Sequence, residues 1–110
     1  MRLFVGGPPG EVHSYVFVRP VDGSREAGQV AAMYSDPTAW GTRAGWDVFT
    51  TGVDHLRAEG LTELSLWMLK GNERAGRFYE RAGWWPDGEE QTTTTSAGSY
   101  VEVRYRPVES

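Results

Sequence analysis

A chain of 110 residues with a formal net charge of −4 and no cysteine has room for one domain, residues 1–110, and excludes several chemistries at once. A general nucleic-acid binder would need surplus lysine and arginine, and disulfides, thiolate metal sites and cysteine nucleophiles all need cysteine. With 39% hydrophobic residues, including five tryptophans, the composition is that of a folding chain and not of a disordered one.

In chain order, Met1 to Val5 is a short β-prone run closed by Gly6-Gly7-Pro8-Pro9-Gly10, which predicts a turn or loop. Glu11 to Arg19, with Tyr15-Val16-Phe17-Val18 at its centre, predicts a second strand that pairs with the first as a hairpin. After a polar loop from Pro20 to Gly28, Gln29 to Ser35 predicts a third strand ended by Asp36-Pro37. A loop to Ala44 leads into a helix reaching about Glu59, whose Trp46, Phe49, Val53 and Leu56 recur at helical steps. Gly60 is a helix stop. Leu64 to Leu69 is a buried-type strand, and Asn72 opens a second helix to Ala82 with Ala75, Phe78, Tyr79 and Ala82 on one face. Pro86-Asp87-Gly88 predicts a turn, and Glu89 to Thr95 with Tyr100 to Arg106 predicts a closing hairpin. The expected order is β-β-β-α-β-α-β-β. Trp46, Trp67 and one ring of Trp84-Trp85 are expected in the core.

His13 and His55 are far apart in the chain, so no metal site is expected. No apolar run approaches the length of a membrane span, and the start lacks a signal-peptide core. A cytoplasmic protein with neither a membrane nor a nucleic-acid partner is the expectation.

Two constellations could carry chemistry. Trp40-Gly41-Thr42-Arg43-Ala44-Gly45-Trp46 joins a strand to a helix. Backbone N–H groups and the positive end of the helix dipole there would suit a phosphate, although two glycines before a helix also make an ordinary turn. Asn72 and Tyr79 stand seven residues apart, about two helical turns, and so share a helix face. The plainer account is that Asn72 caps its helix and Tyr79 packs. The chemical one makes the phenol a general acid toward a leaving group.

The run Met33 to Gly83 resembles the coenzyme-binding half of the GNAT N-acetyltransferase superfamily. MYSDP, WGTRAGW, LSLWMLKGNERAGRFYERAGW and the final VEVRYR carry the likeness, with Asn72, Ala75, Phe78, Tyr79 and Gly83 on the N-x-x-A-x-x-F-Y-x-x-x-G pattern. The resemblance implies an α/β fold with a mixed, mainly antiparallel sheet and an acetyl-CoA site, without a metal. Met33 and Ser35 would hydrogen-bond the pantetheine arm through their backbone. A backbone N–H near Met33 or Tyr34 would polarise the acetyl carbonyl. Trp40, Gly41, Thr42, Arg43, Ala44, Gly45 and Trp46 would hold the pyrophosphate. Asn72 would contact the pantetheine, and Tyr79 would protonate the leaving thiolate. The implied activity is transfer of acetyl to a primary amine, on a small molecule or a protein, by direct attack.

The chain departs from the family pattern in three places. Arg43 stands where the pyrophosphate loop has a glycine. Weakened coenzyme binding is expected, since glycine lets the backbone meet the phosphates closely and a side chain costs more where φ is positive; a bidentate phosphate contact is the alternative. The hairpin at Arg2 begins where the family has already placed a strand and two helices. Either the start is incomplete or the exposed face needs a covering partner, a homodimer being the simplest; the competing functional reading is a non-catalytic module for assembly or regulation. Finally, Glu11, His13, Glu26 and Asp36 are acidic or basic groups near the early strands, and none is singled out as a general base.

Overall fold

The computed structural model describes residues 1–7, 10–35 and 43–108. Eight elements follow the expected order: β1 (Arg2–Gly6), β2 (Ser14–Pro20), β3 (Ala27–Ser35), α1 (Ala44–Ala58), β4 (Glu63–Leu69), α2 (Glu73–Arg81), β5 (Trp84–Thr95) and β6 (Gly98–Pro107). The class is mixed α/β. The elements form two compact units, residues 1–64 and 65–110.

In the first unit β1, β2 and β3 make an antiparallel meander. Alternation along β2 sends Ser14, Val16 and Val18 to one face, where all three are buried, as the two-residue period of a strand requires. α1 lies on that face through Gly45, Val48, Phe49, Gly52, Val53 and Leu56. Gly52 permits the close approach, since a side-chain carbon there would lie 2.9 Å from Val16 Cγ1 and 3.0 Å from Val18 Cγ1. Phe49, Val53 and Leu56 of the expected stripe are buried. Val48 joins them between Gly45 and Gly52, and only Trp46 departs, being half-buried. At the far end, Thr62 and Glu63 donate their N–H groups to the Glu26 carbonyl at 2.9 and 2.8 Å.

β3 holds a feature absent from the expectation. Phe17 pairs with Ala32 but Val18 pairs with Val30, which leaves Ala31 as an extra residue, a β-bulge. Beyond it Met33 and Ser35 are opposite Val16 and Ser14, and Tyr34 is opposite Tyr15. Directly opposed residues share a face, so Met33 and Ser35 point to the α1 side and Tyr34 to the other. On that other face Leu3, Phe17 and Ala32 form one cross-strand row, and Val5, Tyr15 and Tyr34 another. Leu3 and Val5 are each 56% exposed and Tyr34 47%.

In the second unit β4 and β5 both pair antiparallel with β6. The turn expected at Pro86-Asp87-Gly88 is instead an irregularity inside one long strand: Pro86 pairs with Tyr105 and Glu90 with Val103. The turn chemistry is present, but Asp87 closes it locally. Its carboxylate accepts from Glu89 N–H at 3.0 Å and from Arg104 Nε at 2.6 Å, and Gly88 takes φ 93°. Burial alone would raise the Asp87 carboxyl pKa, but the Glu89 N–H bond and the Arg104 and Arg106 guanidinium groups hold it below the usual range. Glu90 pairs with Lys70 at 3.1 Å, so of the acidic residues Asp87, Glu89 and Glu90 two are paired with cations.

Trp84 is core and Trp85 is 49% exposed. Trp67, expected in the core, is half-buried and lies opposite Arg104, whose guanidinium carbon is 5.8 Å from its ring centroid. The strand period explains it, because Leu64 and Leu66 occupy the inner face. α2 holds its sheet mainly through Gly76 and Tyr79, while Ala75, Phe78 and Ala82 of the expected face are half-buried.

Candidate functional site

The candidate residues of the first unit meet where β3 ends and α1 begins. Ser35 Oγ and Ser14 Oγ are 3.1 Å apart, a pairing set by the β2–β3 register. Gly45, in the first turn of α1, faces this pair: a side-chain carbon there would stand 3.5 Å from Ser35 Oγ, 3.7 Å from Met33 Cε and 3.8 Å from Ser14 Oγ. That space clashes with nothing, so glycine is not demanded by packing and leaves the helix start open. α1 has no side-chain cap, and its first intrahelical bond runs from Asp47 N–H to the Arg43 carbonyl at 2.8 Å. The positive end of the helix dipole at Gly45 therefore stands beside the part-buried Ser14–Ser35 hydroxyl pair, and the first-turn N–H groups of an uncapped helix are the kind of donor that suits an anion. Ala44 and Trp46 belong to the same turn. Trp40, Gly41 and Thr42 lie outside the described residues, as does Asp36.

At Arg43 one reason for expecting weakened coenzyme binding falls away. The φ of this residue is −83°, in the ordinary right-handed region, so the backbone there needs no glycine and the positive-φ cost does not arise. Its side chain is 84% exposed and only 3.9 Å from Asp47, a loose pairing that leaves the guanidinium able to reach an anion. Tyr34 is turned to the opposite face and stacks on Tyr15, centroids 5.6 Å apart. Nearby, His13 Nε2 is 3.1 Å from Glu11 Oε2, a pair that the two-residue spacing did not single out. No group of three His, Cys, Asp or Glu among the described residues is placed to hold a metal.

In the second unit Asn72 and Tyr79 do not share an open face. Asn72 is the N-cap, with φ −78° and ψ 80°, so its side chain does not follow the two-turn register of the helix body. Its Oδ1 accepts from Ala75 N–H at 3.2 Å, which leaves the NH2 end of the amide for other partners. Tyr79 is 9% exposed, with Phe78 and Tyr105 rings 5.5 and 5.8 Å away. Burial pushes its phenol up to about 12, so it keeps its proton throughout the physiological range.

Sequence patterns missed a groove beside α2. A cavity of about 420 Å³ is lined by Asn72, Arg77 and Glu80 of the helix, with Met68, Val103 and Tyr105 of the strands among its walls. Only pairing between distant elements puts Tyr105 under Gly76, so local spacing held no signal for it.

The "Acetyltransferase (GNAT) family" model matches residues 3–84, and the chain belongs to that family. No curated protein matches it. Among solved structures it is similar to nourseothricin acetyltransferase at 22% identity and a TM-score of 0.79, covering 96% of this chain and 64% of that one. The ribosomal-protein-alanine N-acetyltransferase of Brucella melitensis is 16% identical with a TM-score of 0.79, over 97% and 68% of the two chains. A GNAT family acetyltransferase from Elizabethkingia anophelis, solved with acetyl-CoA bound, is 7% identical with a TM-score of 0.76, over 96% and 74%. At these identities the likeness is one of fold, and the chain spans less than two thirds of the first of them.

Proposed function

We propose that the protein is an acetyl-CoA-dependent N-acetyltransferase acting on a primary amine. One observation carries this: the end of β3 and the first turn of α1 meet at Ser35, Met33 and Gly45, so that a strand edge and a positive helix end address the same point. Met33 and Ser35 would take the pantetheine along their backbone. The segment Trp40 to Trp46 would take the pyrophosphate, with Arg43 adding charge, and Asn72 would offer its amide to the pantetheine. The amine nitrogen attacks the thioester carbon, the C–S bond breaks from a tetrahedral intermediate, and the proton lost by nitrogen ends on the departing sulfur. A backbone N–H at Met33 or Tyr34 would stabilise the oxyanion.

Tyr79 takes a modified role. A phenol at about 12 is a weaker acid than a thiol of about 8.5. It would serve the departing sulfur by donating a hydrogen bond, with full proton transfer disfavoured. Calorimetric titration with acetyl-CoA, followed by thiol release with an amine panel, tests the proposal. Saturable binding and amine-dependent thiol are expected; no binding near millimolar coenzyme would end it.

A second reading is favoured by the exposed rows Leu3–Phe17–Ala32 and Val5–Tyr15–Tyr34. An apolar face of this kind marks an interaction surface, so the chain would act as an assembly or regulatory module, as a homodimer or with another partner, in the cytoplasm. Sedimentation as a well-behaved monomer at micromolar concentration would remove that support. Among the described residues no helix is long and apolar enough to cross a membrane.

A further inference from the structure

We propose that the groove between α2 and β6 is a binding site for a small primary ammonium ion carrying a short apolar body. It lies wholly within the second unit and does not rest on the acetyl-transfer reading. Its volume of about 420 Å³ falls in the range of small-molecule sites. Met68 and Val103 supply an apolar floor from paired positions of β4 and β6.

The polar groups at its wall are selective. Tyr105 is 6% exposed, yet no buried side-chain oxygen or nitrogen among the described residues lacks a partner. Its hydroxyl has no hydrogen bond within the described protein, so it must reach open space, and Tyr105 lines the groove. Gly76 makes that placement possible, because a side-chain carbon there would come within 3.1 Å of the hydroxyl.

Beside it stands Glu80, close enough that its charge, after burial, helps to raise the Tyr105 phenol. The other charges lining the groove, Glu73 and Arg77, pair loosely with each other at 3.9 Å and are both exposed, so they offset one another and leave the carboxylate of Glu80 as the net charge. Glu80 has no ion-pair partner among the described residues. An ammonium group would donate to the Glu80 carboxylate and to the Tyr105 hydroxyl oxygen, as charge-assisted bonds favour, while its apolar part covers Met68 and Val103.

The test uses the full chain without coenzyme, so its outcome is independent of whether acetyl-CoA binds. Calorimetry and amide shift mapping are run with 2-phenylethylammonium and, as the uncharged match, 2-phenylethanol. At least about tenfold tighter binding of the ammonium is expected, with shifts at Gly76, Arg77 and Tyr105. Glu80→Gln should bring the two ligands level, and Tyr105→Phe should weaken the ammonium several-fold. Equal affinities in the native chain, shifts elsewhere, or an unchanged ammonium affinity in a folded Glu80→Gln variant would each overturn the proposal. The native-chain comparison decides the matter even if a variant does not fold.

Discussion

The two helices hold to their strands and begin in opposite ways. α1 buries six residues against its sheet and starts without a side-chain cap, whereas α2 buries two and starts on the capping side chain of Asn72. A helix anchored along its length can leave its first turn open to a ligand. One anchored at few points needs its end fastened. The same contrast separates the roles of glycine: Gly52 lets α1 close on β2, and Gly76 lets a single hydroxyl reach α2.

The largest expected effect tests how much of α2 hangs on Tyr79. Truncation by Tyr79→Ala should cost about 3–5 kcal/mol, the range for a buried aromatic, and should be read by chemical denaturation. High pH probes the same anchor without truncation. The folded-state value of about 12 lies above the ordinary 10.0, so the buried neutral phenol contributes fully below pH 10. That contribution is lost as pH climbs from 10 to 12, by up to about 2.7 kcal/mol at 1.36 kcal/mol per unit. Tyr79→Phe should flatten this part of the profile. Tyr105 is also raised and adds loss of the same sign, so Tyr105→Phe is the proper companion. An unchanged slope in Tyr79→Phe would show that the phenol is not the buried group the structure describes.

The close seat of α1 is tested next. Gly52→Ala places a carbon 2.9 Å from Val16 Cγ1, and overpacking of this kind costs about 1–3 kcal/mol. The native helix propensity of alanine would offset about 1 kcal/mol of that. A net loss is expected in thermal melts; a net gain would mean that α1 can lift from β2.

These contrasts mark what local pattern could and could not reveal. The element order was legible because each strand is a β-prone run and each helix ends near a glycine of positive φ, Gly60 and Gly83. The cap at Asn72 was legible for the same local reason. The bulge at Ala31 was not, since small residues there carry no turn signal and only pairing with β2 exposes it. Pro86-Asp87-Gly88 misled because its turn chemistry is real but is spent inside a strand, where Arg104 from β6 holds Asp87. Trp46 and Trp67 misled because size was taken for burial, while glycines and strand alternation decided which face turned inward. At the candidate site, the meeting of Ser35 with Gly45 followed from a strand-to-helix sequence. The groove of Tyr105 and Glu80 required partners 25 residues apart in number (105 minus 80) to be brought together by α2 and β6.

The two helix starts give the smallest effects and the sharpest contrast. At α2, Asn72→Ala removes the acceptor for Ala75 N–H at 3.2 Å, and loss of such a cap costs about 1 kcal/mol. Stability of the free protein should fall by that amount, because the bond is internal to the protein; with acetyl-CoA present the loss should be larger if the Asn72 amide also holds the pantetheine. At α1, Arg43→Ala removes a side chain that is 84% exposed and caps nothing. Its ordinary φ means that no strain is relieved, so stability should move by less than about 0.5 kcal/mol, as for other surface changes. Its effect should appear only with an anion present. Acetyl-CoA should bind several-fold more weakly to Arg43→Ala, with a shallower salt dependence, if the guanidinium reaches the pyrophosphate. Tighter binding in that variant would mean that the side chain stands in the way of the coenzyme. A loss of stability at Arg43 equal to that at Asn72 would erase the distinction between an open helix start and a fastened one.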